Sequence, residues 1–98
     1  MKVFLKTHNR SMIETVACCD EDLINKVFKE GQLKIEISSH FFGGNLINLD
    51  DAVDILKHAP YFNIVGKNII KKAIDCKILH EGGVRSINGI PMAMKMMF

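Results

Sequence analysis

The stretch VFLKTHNRSMIETVACC, residues 3–19, decides the fold class of this chain. We interpret its two halves, VFLK and MIETVACC, as alternating patterns of apolar and polar residues, with the second less clean than the first. Such alternation is typical of β-strands that turn one face to a core. The polar HNRS between the halves interrupts the pattern as a turn would. The stretch therefore predicts an opening β-hairpin.

A second hairpin is predicted at the other end, in SINGIPMAMKMMF, residues 86–98. Asn88-Gly89 between extended segments is a common two-residue hairpin turn. Pro91 lacks an amide hydrogen and predicts that the last strand lies at an edge of the sheet. The methionines share one face by the two-residue period of a strand, which favours core packing over a cofactor site. They are Met92, Met94 and Met96, with Lys95 on the other face.

Three helices are predicted between the hairpins. The first is DEDLINKVFKEG, residues 20–31, because acids open it, lysines follow near its end and Gly31 can stop it. The others are NLDDAVDILKHAP, residues 48–60, and KNIIKKAIDCKIL, residues 67–79. QLKIEIS and YFNIVG predict strands, and SHFFGGNLI predicts a tight turn between extended segments.

Size and composition fit one globular domain. The chain has 98 residues, of which 48% are hydrophobic and 24% charged, and this length can bury one modest core. With hairpins at both ends, we expect an α+β fold: a single compact domain, residues 1–98, in which a mainly antiparallel sheet of about five to seven strands packs with three helices.

The sequence predicts a cytoplasmic protein. It contains no apolar run long enough to cross a bilayer, and its first ten residues lack the apolar region of a secretory signal. Cys18, Cys19 and Cys76 are odd in number, and two of them are adjacent. This usage is typical of reduced thiols, which we expect to be small buried apolar groups.

No catalytic residue, metal ligand or cofactor site is assigned from the sequence. The four histidines are widely spaced, and the cysteines lack the spacing of a zinc finger. Cys19 precedes Asp20, Glu21 and Asp22, whose charges oppose a reactive thiolate. We therefore expect a binding protein rather than an enzyme, and the sequence leaves the enzyme class open.

Basic residues suggest an anionic partner. Residues 1–56 carry a net charge of −3 and residues 57–98 one of +5. Gly66 and Lys67 stand where a strand meets a helix, so free backbone amides beside a lysine could bind an anion. A plain turn that needs glycine is the alternative. The other basic candidates are Lys71, Lys72 and Arg85, which could equally be a solvated surface.

The turn FFGGN supplies the aromatic part of the same hypothesis. Phe42, Gly43 and Gly44 are candidates for an RNA-contacting edge, because RNA sites often combine aromatic side chains with a basic groove. The alternative is that the phenylalanines belong to the core. The sequence contains no DNA-specific motif.

Four stretches together resemble one family, the archaeal domain of unknown function 424. They are Ala17 to Glu21, Phe42 to Gly44, Asn63 to Gly66 and Gly89 to Pro91. The resemblance covers nearly the whole chain and implies a cytoplasmic protein with a compact α+β fold and no established activity. It also implies a translation or RNA role, since genes of such proteins neighbour translation-initiation genes. The family pattern after the Gly-x-Pro turn reads His-Ala-Gln, whereas this chain has Met92, Ala93 and Met94, which argues against catalysis here.

Two functional hypotheses follow. The first is a non-catalytic accessory of translation that binds RNA, the ribosome or a translation factor. The second is a protein–protein interaction module without a nucleic-acid role, which uses the methionine-rich last strand as an adaptable apolar surface. A homo-oligomer is compatible with either hypothesis, and no membrane role is expected.

Overall fold

A six-stranded mixed sheet forms the centre of the molecule. The computed structural model describes residues 1–95. The strands are β1 (Lys2–Arg10), β2 (Ile13–Asp20), β3 (Val27–Glu30), β4 (Leu33–Glu36), β5 (Asn45–Asn48), β6 (Tyr61–Val65), β7 (Arg85–Ile87) and β8 (Ile90–Lys95), and the helices are α1 (Ser39–Phe42), α2 (Leu49–His58) and α3 (Lys67–Asp75). The main sheet has the order β5-β1-β2-β6-β8-β7, and β3 pairs with β4 separately. Of its strand pairs, β2 with β6 is parallel and the others are antiparallel. The predicted α+β class is confirmed.

Both terminal hairpins form as predicted. In the first, Arg10 pairs with Ile13 around Ser11 and Met12, whose φ angles are 53° and 68°. In the second, Ile87 pairs with Ile90 around the Asn88-Gly89 turn. Two consecutive residues with positive φ are typical of the tight turn that matches the twist of paired strands. The first turn lies at the end of the predicted HNRS stretch, because β1 continues to Arg10.

The sheet has two covered faces. The first, the helix face, packs against α2 and α3, and its core includes Val16, Phe62, Ile64, Leu56 and Ile69. The second, the hairpin face, is partly covered by α1 and the β3–β4 hairpin. Its smaller core is formed by Ala17, Cys19, Leu23, Ile37, Phe42 and Val65. Alternating residues of each strand serve the two faces, as the pleat requires.

The first predicted helix, residues 20–31, is wrong. Asp20 ends β2, Glu21–Leu23 form one 3-10 turn, and Val27–Glu30 are a strand. The acids do not cap a helix of their own, because the Asp20 carboxylate bonds to the start of α3 instead. The apolar residues of β3 alternate: Phe28 packs towards the core and Val27 is exposed.

Two other expectations need correction. The segment SHFFGGNLI contains a short helix, α1, with Ser38 Oγ accepting a hydrogen bond from the Phe41 amide at 3.2 Å. The last strand is not an edge, since β8 lies between β6 and β7. The Pro91 carbonyl accepts a hydrogen bond from the Gly66 amide, so the nitrogen of Pro91 points to the same side. β6 has already ended there, so the amide hydrogen that proline lacks is not needed for strand pairing. β5 and β7 are the edges.

The other helices confirm their predictions. α2 buries Ala52, Val53 and Leu56 and ends before Pro60, and α3 buries Ile69, Ile70 and Ala73. α3 is shorter than predicted and ends at Asp75, before Lys77 takes a positive φ of 60°. The three α-helices thus match the predicted number but not all the predicted places. Within residues 1–95, no helix has the length and apolar character needed to span a membrane.

Candidate functional site

The predicted anion-binding corner is occupied by the protein's own carboxylate. The amides of Asn68 and Ile69, at the start of α3, donate to Asp20 at 2.9 Å and 3.0 Å. Gly66 has a φ of 127°, and a Cβ there would collide with the same carboxylate. Asp20 is only 4% exposed. Gly66 is therefore needed for this internal contact.

Burial has the largest effect on the pKa of the Asp20 carboxyl group. Desolvation raises the pKa of Asp20 above its ordinary value, and the charge of Asp22 adds to the effect. The two amide hydrogen bonds act in the opposite direction because they stabilise the carboxylate.

The predicted basic residues do not form one surface. Lys67 and Lys71 are exposed beside a shallow depression of about 310 Å³ that Asp75 and Glu81 also line. The acids therefore offset the charge of the lysines.

Lys72 points elsewhere: its Nζ lies 3.1 Å from Asp50 on α2, and this hydrogen bond raises the pKa of Lys72. Arg85 lies in β7, where its partner Met92 places it on the hairpin face of the sheet.

The aromatic-glycine turn packs against the first strand. Phe42 is buried, and a Cβ on Gly44 would collide with the main chain of β1 at Leu5. Gly43 lies similarly close to the main chain of Ser39. These residues hold α1 in place: Phe42 is buried, Gly43 is half-buried and Gly44 is exposed.

Side chains of β1 form hydrogen bonds with main-chain carbonyls of α1. Lys6 Nζ donates to the His40 carbonyl at 2.7 Å, and His8 Nε2 lies 2.8 Å from the Phe41 carbonyl. The rings of His8 and Phe41 stack at 4.7 Å between centroids. Phe41 is therefore half-buried against the protein's own histidine.

The thiols are not activated. Cys18 and Cys19 are buried, and desolvation raises the pKa of Cys19 to about 12, with a further contribution from Asp20. Burial raises the pKa of Cys18 as well. Among the described residues, no group of three or more histidines, cysteines and acids converges to hold a metal ion.

An open apolar groove lies on the hairpin face, and we call it the methionine groove. Its floor is Met92, Ala93 and Met94 of β8. One hollow of about 550 Å³ extends from this floor towards Leu33, Gly82, Gly83 and β7, and a second of about 250 Å³ extends towards Phe41, Phe42 and Asn63. The two hollows share these three floor residues, and the name methionine groove covers both.

Two large apolar side chains are exposed in this groove. Met94 is 60% exposed, and Leu33 on the wall is 58% exposed. The predicted burial of the methionine face is wrong for Met94, because the hairpin face is only partly covered at this end of β8. Met92 is half-buried against the second core, and Met96 lies outside the described residues. Lys95 is on the helix face, as predicted, where its Nζ donates to the Ala59 carbonyl at 3.0 Å.

The groove has a defined charge. No acid lines the larger hollow, and Arg85 stands in its wall. Within residues 1–95, the ion pairs involve Lys57 and Lys72, so Arg85 has no carboxylate partner there. Glu36 lines the smaller hollow. Sequence reasoning noticed the methionines and Arg85 separately, but no local pattern places Leu33 beside them.

Comparisons with known proteins support the fold and leave the activity open. The pattern of one protein family, described as "Protein of unknown function (DUF424)", matches residues 7–97. A solved structure, described as that of an uncharacterized conserved protein from Methanopyrus kandleri, is similar with a TM-score of 0.83 and 22% sequence identity. The alignment covers 96% of this chain and 90% of that one. The search of curated proteins gave no significant match.

Proposed function

Since the chain belongs to the DUF424 family, whose function is unknown, we propose from its own geometry that it is a non-catalytic module that binds a segment of a partner protein in the methionine groove. The observation that carries the proposal is the 60% exposure of Met94 on the groove floor, at the end of β8 that β7 does not flank. Leu33 is also exposed and lines the same hollow, so the two side chains contribute to one apolar patch, and such patches often mark interaction sites.

The side chains favour a peptide over a rigid small molecule. Methionine is unbranched and polarisable, so Met92 and Met94 can repack around different apolar side chains. The groove is open and runs along the sheet, which suits an extended segment. Arg85 in the wall favours a segment that carries an acidic residue near its apolar one.

Association with RNA, the ribosome or a translation factor stays a prediction. The exposed Lys67 and Lys71 support it, and Asp75 and Glu81 beside them weaken it. The same is true of a cytoplasmic location, for which the sequence remains the argument.

The first prediction concerns Met94. Random heptapeptides displayed on phage are selected against the full chain, and the best binder is titrated against wild type and Met94→Glu. We expect the variant to lose at least about tenfold in affinity, because its carboxylate would be desolvated in an apolar groove; a tenfold loss corresponds to about 1.4 kcal/mol. Thermal unfolding should change little, since the side chain is exposed.

Ile55→Glu is the matched control. Ile55 is also an exposed apolar residue, but it lies on α2, on the other side of the sheet. Its variant should bind the selected heptapeptide as wild type does. Equal losses in the two variants, or selection of no groove-binding peptide, would contradict the proposal. Salt-sensitive binding of RNA that survives Met94→Glu would instead favour the RNA hypothesis.

A further inference from the structure

Strand β8 has different neighbouring strands along its length. Its first residues, Ile90 to Met92, pair with β7, and Met92 pairs with Val65 of β6 as well. Its second half, from Ala93 to Lys95, is paired only with β6, because β7 begins at Arg85. A strand that is interior at one end is therefore an edge at the other, directly beside the methionine groove.

The register shows which main-chain groups are open. The Gly66 amide donates to the Pro91 carbonyl at 2.9 Å, so the polar groups of Pro91 point towards β6. Successive residues of a strand alternate in this direction, so the amide and carbonyl of Met94 point towards the side of β7. The Gly83 amide there donates to the His80 carbonyl of its own 3-10 turn. In residues 1–95, the main chain of Met94 thus has no strand partner on that side.

The edge of β8 at Met94 adjoins open space. The neighbouring positions are Gly82 and Gly83, and a Cβ built on Gly82 would meet no atom within 4 Å. The adjoining hollow has a volume of about 550 Å³. An added strand would lie about 4.8 Å from β8, at the rim of this hollow beside Gly82 and Gly83, and its side chains would reach into the hollow.

We propose that the partner segment binds by β-strand addition, with its main chain hydrogen-bonded to the open edge of β8 at Met94. This inference rests on the proposed function and specifies its binding mode. An extended peptide supplies amides and carbonyls at the spacing that an open strand edge requires. Its apolar side chain packs between Leu33 and Met94, and an acidic residue pairs with Arg85, the charged residue in the wall.

Two measurements test the main-chain contact itself. The first is amide hydrogen exchange of Met94 by NMR, with and without the selected heptapeptide. We expect the amide of Met94 to exchange at least about tenfold more slowly in the complex, because it gains a hydrogen-bond acceptor. The second is a set of heptapeptides methylated at one backbone nitrogen each. Methylation at alternate positions should weaken binding tenfold or more, since only alternate amides face β8.

A variant of the chain provides an independent arm. Gly82→Tyr places a ring in the open space, and the φ of Gly82 is one that other residues adopt. We expect an unchanged unfolding temperature and a tenfold or greater loss of heptapeptide binding. Ile55→Glu again serves as the control.

The outcomes separate the inference from the proposed function. If the heptapeptide binding is sensitive to Met94→Glu but tolerates methylation at every nitrogen, the groove binds side chains alone and strand addition is wrong. If Met94 shows no protection in a saturated complex, the same conclusion holds. If no peptide binds in a manner sensitive to Met94, the proposed function itself fails.

Discussion

At the residue scale, Asp20 has the strongest structural role of the charged side chains described. It lies at the end of β2 and accepts hydrogen bonds from two amides of α3, 48 and 49 residues further along the chain. A carboxylate at a helix start is favoured by the helix dipole. In this position its burial acts against that preference, since water is excluded from the charge.

This conflict predicts a pH dependence of stability. Burial raises the pKa of Asp20, so the folded state binds its proton more tightly than the unfolded chain, in which an aspartate has a pKa of about 3.9. The free energy of unfolding should therefore fall as pH rises from that unfolded value through the raised folded value, and this contribution should be constant above it. Urea unfolding of wild type and Asp20→Asn between pH 3.5 and 7 measures it. The variant should lack this component; a stability difference of opposite slope would mean that the amide bonds dominate.

Single residues also limited what the sequence could predict about the site. The Gly66-Lys67 corner has the sequence of an anion site, but the anion comes from Asp20, and no local pattern could reveal that contact. Phe42, Gly43 and Gly44 have the sequence of an exposed turn, yet Phe42 is buried in the second core and Gly44 lies against the main chain of β1. In both cases the contact is made by a distant part of the same chain, which a local sequence pattern does not reveal.

At the scale of elements, the β1–β2 hairpin contains a turn of unusual composition. Ser11 and Met12 both have positive φ, a conformation that favours glycine or asparagine. Met12 is fully exposed, so no packing compensates for the backbone strain. Non-glycine residues in this conformation typically cost about 1 kcal/mol or more each.

Replacement of this turn should stabilise the protein. The double variant Ser11→Asn, Met12→Gly supplies the residues that the turn favours, and we expect the free energy of unfolding to rise by about 1 kcal/mol. Chemical denaturation measures the change. Gly89→Ala in the other hairpin is the matched control: its φ is 79°, and a Cβ there meets no atom within 4 Å. It should destabilise by a similar amount, and a neutral result in both variants would refute the strain argument.

The elements that local patterns predicted well were those with one clear period. The terminal hairpins, α2, β6 and the start of α3 all appear where alternation or helical spacing placed them. Residues 20–31 failed because their charges resemble those of a helix while their hydrogen bonds go to distant partners. Asn25 donates its amide to the Ile37 carbonyl at 2.7 Å, and Ile37 returns a bond to Lys26 at 2.9 Å. Such pairing depends on a strand that comes later in the chain.

At the scale of the whole molecule, the main sheet and the β3–β4 hairpin differ in how they are stabilised. The main sheet is a continuous ladder of six strands, whereas β3 and β4 pair only with each other. Their hairpin is attached to the hairpin face by the packing of Leu23, Phe28, Ile35 and Ile37 and by the bond of the Asn88 amide to Glu30. An isolated two-stranded hairpin is marginally stable in water.

We therefore expect a hierarchy of local stability. Amides of β3 and β4, residues 27–36, should exchange at least about tenfold faster than those of β2 and β6, a difference of about 1.4 kcal/mol in opening free energy. Hydrogen exchange followed by mass spectrometry resolves these segments. Equal protection would show that the hairpin opens only with the whole sheet. Binding in the methionine groove should slow exchange in β4, because Leu33 lies in its wall.

The parallel pair at the middle of the sheet has a consequence for synthesis. β2 ends at Asp20 and its partner β6 begins at Tyr61, so the ribosome adds about 40 residues between them. At a typical rate of about 5–20 residues per second, this takes about 2–8 seconds. During that interval neither β6 nor α3 is present to cover the apolar side chains of the β1–β2 hairpin. These side chains are Val16 and Cys18 on one face and Ala17 and Cys19 on the other. The nascent chain therefore exposes these apolar side chains until β6 emerges to pair with β2.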